Sequence, residues 1–105
     1  MLKKIADAMA RRGAETKLEH GLHIVRRDWL EYRSQNPKPP EDNTIQYVAP
    51  FIAPMMERLG NDRLWGNMEQ VARMDLIFVV LRADAETEVG LAKLEAMREA
   101  LLPEP

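Results

Sequence analysis

The two histidines of the chain, His20 and His23, are three residues apart, a spacing that places both imidazoles on one face of a helix. Such a pair could bind a metal ion if a carboxylate such as Glu19 or Glu31 supplied the third ligand that zinc requires. The Glu-x-x-His motif of di-iron bundles is absent, because Lys17 and His20 stand three residues before the two histidines. We therefore expect two surface histidines and no metal site.

Asp75 is the carboxylate that the helical pattern places on an apolar face. Its neighbours on a helical projection are Met68, Val71, Ala72, Phe78 and Val79. A carboxylate in such surroundings is costly unless it is paired, so a structural ion pair with Arg82 or with an arginine of the second helix is one interpretation. A functional acid in an apolar pocket, part of a small-ligand site, is the other.

No motif of enzyme chemistry accompanies Asp75. The chain has no Cys, no Ser-His-Asp order, no Gly-rich phosphate loop and no second carboxylate at motif spacing. The sequence therefore predicts no catalytic residue and no cofactor, and we do not expect an enzyme.

Basic residues are concentrated in the first third of the chain. Residues 1–38 contain nine Lys and Arg against five acidic residues, a net charge of +4, and the remainder carries −6 because the 105-residue chain sums to −2. This asymmetry indicates a face for an anionic partner, so residues 11–38 could bind nucleic acid. A solvated helix face with an Arg27–Glu31 pair is the alternative. The candidate partner-binding residues here are Arg11, Arg12, His20, His23, Ile24, Arg26, Arg27, Leu30 and Arg33.

Apolar periodicity predicts two helices in this basic third. The first, residues 2–12, is a short amphipathic helix that ends at Gly13, a residue suited to a helix C-cap. The second runs from about 14 to 34, and its core stripe consists of Leu18, Leu22, Val25, Trp29 and Tyr32. Ile24 and Leu30 lie off that stripe, which indicates a second contact surface.

Prolines dominate the middle of the chain. Three of them in the stretch 35–43 predict an extended connecting loop. Asn43 is a plausible N-cap for a third helical segment, which Pro50 and Pro54 should interrupt. The uncharged run from 47 to 56 is expected to be buried in the domain or against a partner, so further partner-binding candidates are Phe51, Met55 and Met56.

Two more helices complete the predicted fold. The fourth starts at Asp62 or Asn67 and contains the apolar run 76–81, which could also be a buried strand. We favour a helix, because a strand needs a partner and the other candidate segment contains two prolines. The fifth, at about 85–102, is capped by Asp84, and its core seam consists of Gly90, Leu94, Met97 and Leu101.

The sequence thus predicts one all-α domain over residues 1–105, a compact bundle of about five helices. No stretch is long and apolar enough for a signal peptide or a membrane span, so a cytoplasmic protein that binds no membrane is expected. Apolar residues that one core does not require predict self-association; they are Ile24, Leu30, Ile77 and Val80.

The expected function is a non-enzymatic protein–protein interaction module that acts as an assembly factor, regulator or stoichiometric inhibitor and self-associates. Nucleic-acid binding through residues 11–38 is the first alternative. A small-ligand or metal site, at Asp75 or at the two histidines, is the second.

Overall fold

The computed structural model describes residues 2–38 and 44–102, and these ranges contain helices and no strand. Four α-helices and one short 3-10 turn (Trp65–Asn67) follow one another; the helices are α1 (Leu2–Gln35), α2 (Thr44–Gly60), α3 (Gln70–Ala83) and α4 (Glu88–Leu101). The all-α class predicted from the sequence is confirmed. The predicted number of helices is wrong, because the first two form one.

Gly13 lies inside α1 and does not end it. No glycine in the described ranges adopts a positive φ, the conformation by which a glycine usually stops a helix. A single glycine costs a helix only about 1 kcal/mol relative to alanine, and residues 6–12 are mostly good helix formers. The predicted boundary between a helix at 2–12 and another at 14–34 is therefore wrong.

The helix α2 continues through Pro50 and Pro54, so the predicted interruption is not found. Each proline lacks the N–H that would bond the carbonyl four residues earlier, at positions 46 and 50, and both of those residues are exposed, so water can reach them. The carbonyl of Tyr47, also on α2, accepts a hydrogen bond from the hydroxyl of Tyr32 on α1. The opposite face is buried in the core and outweighs the cost of the prolines; its residues are Tyr47, Val48, Phe51, Ile52, Met55 and Leu59. The predicted N-cap, Asn43, lies outside the described residues, as does most of the predicted loop.

The starts of α3 and α4 differ from the predicted ones. The segment after Gly60 forms a turn and the 3-10 helix, so α3 begins at Gln70 and not at Asp62 or Asn67. The cap of α4 is Thr87, whose hydroxyl accepts a hydrogen bond from the backbone N–H of Gly90 at 2.9 Å. Asp84 is instead the residue after the end of α3.

The apolar run 76–81 is helical, as favoured from the sequence, and belongs to α3. Five of its six side chains are buried and only Val79 is exposed, because α3 packs against α1, α2 and α4 at once. A helix surrounded in this way needs apolar residues on nearly every side. Ile24, Ile77 and Val80 all lie in this shared core, so the fold itself accounts for three of the four residues thought to be in excess.

One helix gives the molecule its length. A 34-residue helix is about 51 Å long, and the longest dimension of the described protein is 56 Å. The radius of gyration is 15.8 Å, whereas a compact domain of this size has about 13 Å. The difference arises because the first half of α1 extends away from the other helices, and this extension is the most unusual feature of the fold.

Candidate functional site

Residues 2–16 of α1, here called the N-terminal arm, are exposed at every position. Within the described part of the chain, the arm's one side-chain hydrogen bond is internal, from the Thr16 hydroxyl to the carbonyl of Arg12 at 2.9 Å. The remaining described residues, 17–38 and 44–102, are called the body. The arm is therefore a helix that the body does not support.

The arm carries an apolar stripe along one face. Leu2, Ile5 and Met9 are spaced at i, i+3 and i+7, and their exposed fractions are 85%, 53% and 69%. Single exposed apolar side chains are ordinary, but a continuous row on a helix face that nothing covers is typical of an interaction surface. The amphipathic pattern read from the sequence at this segment thus faces solvent and not the core of the protein.

The stripe leads to a cleft where the arm meets the body. Its volume is about 430 Å³, and it is lined by Met9, Arg12, Gly13, Thr16, Lys17 and Leu64. Apart from its chain neighbours and the nearby backbone of α1, no heavy atom lies within 4 Å of the position that a Cβ on Gly13 would occupy, so the floor of the cleft is open. Leu64, from the turn after α2, is exposed and forms one wall. The cleft is therefore an apolar recess that continues the stripe.

Asp62 holds Leu64 and the turn in place. Its carboxylate accepts hydrogen bonds from the backbone N–H groups of Leu64 and Trp65, both at 3.0 Å, and lies 2.9 Å from Nε2 of His20 on α1. Burial raises the pKa of Asp62, but the hydrogen bond with His20 and the two backbone N–H bonds outweigh it and lower the pKa below its ordinary value. One of the two histidines is thus used to fasten the turn to α1.

Trp65 packs against α1 at Gly21. Its indole Nε1 donates to the carbonyl of Lys17 at 2.9 Å, and a Cβ on Gly21 would lie only 2.5 Å from the indole ring. Gly21 is therefore needed for the close approach of helix and ring. This contact was not predicted; the isolated glycine inside a helical pattern was the available signal, since such a glycine often marks a close approach.

The other sequence candidates on α1 divide into exposed and engaged residues. Arg11, Arg12, His23, Arg26, Arg27 and Leu30 are exposed. Arg33 is engaged, because its Nη1 lies 2.7 Å from both carboxylate oxygens of Asp84, which also accepts from Nε1 of Trp29 at 2.9 Å. Nε of Arg27 lies 3.7 Å from Asp28 and not against the expected Glu31. Part of the basic charge is therefore neutralised within the fold.

Ile24, Phe51 and Met55, three further partner-binding candidates, belong to the core of the body. Met56 is half-buried and packs against that core. Phe51 lies in an aromatic cluster with Trp29, 5.0 Å away between ring centres, and with the two tyrosines. The uncharged run from 47 to 56 is thus buried mainly within the domain, and its apolar residues are accounted for without a partner.

The aromatic cluster contains two hydroxyl groups that the fold uses. Tyr32 donates to the carbonyl of Tyr47, and Tyr47 donates to the carbonyl of Asn36. Burial raises the pKa of both tyrosines above the ordinary value, and for Tyr47 the nearby Arg33 lowers it by a smaller amount. The hydroxyls fix the end of α1 against the start of α2.

Asp75 forms an ion pair, but with neither predicted partner. Its Oδ1 accepts from Nε of Arg98 on α4 at 2.7 Å, whereas Arg82 bonds to Glu95 at 2.9 Å. The hydrogen bond with Asp75 raises the pKa of Arg98. The side chain of Asp75 is 43% exposed, so it does not lie in an apolar pocket. The structure thus corrects the expectation of a buried acid and pairs α3 with α4 at the surface.

Leu30 and Val79 form a second exposed apolar surface. Their exposed fractions are 64% and 43%, and they line a cavity of about 250 Å³ between α1 and α3 together with Arg26 and Ala83. This patch has two exposed large apolar side chains on a supported part of the body. The arm has three, on a helix without support, and is the stronger candidate site.

Two kinds of site find no place among the described residues. No group of three or more His, Asp or Glu side chains there could hold a metal ion. None of the helices in residues 2–38 and 44–102 combines the length and the apolar character needed to cross a bilayer. Comparison with protein-family models, with curated proteins and with solved structures gives no match for this chain.

Proposed function

We propose that this protein is a non-enzymatic helical interaction module that self-associates, and that the N-terminal arm is its docking element. The observation that carries the proposal is the row of Leu2, Ile5 and Met9 on a helix of fifteen exposed residues. Most of the stability of a helix in a protein comes from packing of its apolar face, so the arm gains helical stability when a second surface covers its stripe.

Burial of the stripe supplies the driving force. Complete burial of a Leu, Ile or Met side chain contributes about 1.5–3 kcal/mol. Part of this gain is offset by the loss of translational and side-chain freedom on association. An arm that carries three such residues therefore supports a weak, concentration-dependent complex, as suits a regulator or an assembly factor that acts stoichiometrically.

The side chains that could take part in catalysis hold the fold together instead, which favours a binding function over an enzymatic one. His20 bonds to Asp62, Arg33 to Asp84, and Asp75 to Arg98. Each of these side chains joins two elements of the fold. Nucleic-acid binding has less support than self-association, because Arg33 is neutralised by Asp84 and Arg27 lies beside Asp28.

Light scattering after gel filtration tests the proposal on two matched double variants. Ile5→Ser with Met9→Ser removes two arm residues that are 53% and 69% exposed, and Leu30→Ser with Val89→Ser removes two body residues that are 64% and 61% exposed. At a loading concentration of about 100 µM, which populates a complex with a dissociation constant in the micromolar range, the wild type and the body variant should both exceed the monomer mass of 12.1 kDa. The arm variant should run as a monomer.

Two outcomes contradict the proposal. A wild type that stays monomeric at this concentration removes self-association. A body variant that becomes monomeric while the arm variant associates places the contact at Leu30 or Val89 and not at the arm.

A further inference from the structure

We infer that the arm is covered by the arm of a second copy, packed antiparallel so that Leu2 of each arm enters the cleft between Gly13 and Leu64 of the other. This inference rests on the proposed self-association and adds its geometry. It follows from the unequal ends of the arm, from the position of the body and from the extent of the contact.

The two ends of the arm are complementary in shape. The bulky side chains Leu2 and Ile5 protrude at the end of the arm farther from the body, and the open cleft over Gly13 lies at the end nearer to it. Met9 stands midway, seven residues after Leu2 and seven before Thr16. If a two-fold axis passes beside Met9, Leu2 reaches the level of Thr16 on the other arm, about 10 Å from the axis. Ile5 then faces Gly13, and the match occurs twice.

A parallel pair lacks this match. It would set Leu2 beside Leu2, leave both clefts empty and bring the two bodies together at one end of the pair. In the antiparallel pair each body begins at Lys17 of its own arm, and the two Lys17 residues lie on opposite sides of the two-fold axis, so the two bodies lie at opposite ends of the pair. Such a contact is isologous and closes on two copies.

The extent of the contact predicts a weak dimer. The overlapping residues 2–16 span about 21 Å, or four helical turns. Small residues on or beside the stripe, Ala6 and Gly13, let the helices approach closely. Two helices paired over this length bury less than the roughly 1,200–2,000 Å² typical of stable complexes. The contact of Leu2 with Leu64 extends the interface onto the body.

Charge does not set this register. Lys3 and Lys4 of one arm come level with Glu15 of the other, but Lys17 lies on the neighbouring turn. Because exposed ion pairs contribute only about 0–1 kcal/mol, such mixed contacts nearly cancel. The fit of Leu2 into the cleft is therefore the feature that fixes direction and register.

Thiol cross-linking tests the geometry, and the chain suits it because it contains no Cys. We expect Met9→Cys to form a disulfide between two copies under mild oxidation, since position 9 of each copy lies at the two-fold axis. A mixture of Leu2→Cys and Thr16→Cys should give the mixed disulfide in several-fold higher yield than either variant gives alone. Ala92→Cys, on the exposed face of α4, measures random collision.

The outcomes separate this inference from the proposed function. Efficient Leu2→Cys homodimers would show a parallel pair and overturn the inference. So would yields at the Ala92→Cys level from all arm variants, when the wild type self-associates; the proposed function would then stand with another geometry. A wild type that is monomeric by light scattering overturns both.

Discussion

The indole nitrogen of Trp65 donates a hydrogen bond to the carbonyl of Lys17, and this 2.9 Å contact marks the point where α1 leaves the body. Beyond it toward the N-terminus, every residue of α1 from 2 to 16 is exposed. The same turn presents Leu64 to the cleft. The structural boundary of the body and the candidate docking surface therefore meet at one place.

Gly21 and Gly13 should respond in opposite ways to alanine. In Gly21→Ala the new Cβ would lie 2.5 Å from the Trp65 ring and 2.7 Å from Leu76, so we expect a loss of about 1–3 kcal/mol in the free energy of unfolding. In Gly13→Ala the new Cβ meets no atom within 4 Å beyond the adjoining residues and backbone of α1, and the change removes a weak helix former, so helicity should rise. Circular dichroism during thermal unfolding of dilute protein measures both. Equal melting temperatures for Gly21→Ala and wild type would contradict the packing at Trp65.

Asp62 should make stability depend on acid pH. Its pKa is lower in the folded protein than in the unfolded chain, so its contribution is present above the unfolded value of about 3.9 and is lost as pH falls through the folded value. Asp62→Asn keeps an oxygen that can accept from Trp65 but cannot titrate. The stability difference between wild type and this variant, measured in urea from pH 6 to pH 2 at fixed ionic strength, should shrink toward the acid end. A constant difference would contradict the account.

Tyr32 should make stability depend on alkaline pH. Burial raises the pKa of Tyr32 in the folded protein above that in the unfolded chain, which is about 10. The neutral hydroxyl therefore contributes to the free energy of unfolding below about pH 10, and this contribution is lost as pH rises from there through the folded pKa. Tyr32→Phe also loses the hydrogen bond to the Tyr47 carbonyl, worth about 1 kcal/mol. The difference between wild type and Tyr32→Phe in urea should therefore fall between pH 9 and pH 11. An increase over that range would have the wrong sign.

Asp84 and Asp75 both pair with an arginine, yet they should contribute unequally to the free energy of unfolding. Asp84 receives bonds from Trp29 and Arg33 at the junction of α1 and α3, so Asp84→Ala should cost about 1–3 kcal/mol. The carboxylate of Asp75 is 43% exposed, and its pair with Arg98 is weakened by solvent, so Asp75→Ala should cost less than about 1 kcal/mol. Urea unfolding compares the two variants. A larger loss from Asp75→Ala would reverse the assignment.

Much of the fold was predictable because local patterns and core packing agree. The run 76–81 was correctly placed in a helix, since a strand would have lacked a partner. The two prolines of α2 misled the prediction, because the cost of a proline is visible in sequence while the burial of Phe51 and Met55 on the other face is not. A proline leaves the carbonyl four residues earlier without its helical hydrogen bond. Water can bond to that carbonyl only if the proline lies on the solvent side of the helix, and the sequence alone does not show which side that is.

The candidate site was harder to predict. The amphipathic face of residues 2–12 is plain in the sequence, but periodicity does not say whether such a face meets the core or solvent. Gly13 and Gly21 are both glycines of α1, and the sequence does not distinguish them. The structure does, because Trp65 packs closely against Gly21 whereas Gly13 lies at an open cleft. Asp75 was expected to be buried for a related reason. A helical projection shows the neighbours of Asp75 on its own helix, but it shows neither the solvent exposure of the side chain nor its partner Arg98 on α4.

The most direct test of the central claim is sedimentation velocity of the unmodified protein over a dilution series, from about 5 µM to about 500 µM, a range that brackets a weak complex. The account predicts a sedimentation coefficient that increases with concentration and a fitted mass that moves from 12.1 kDa toward twice that value. A coefficient that stays constant, with a monomer mass throughout the series, would contradict it.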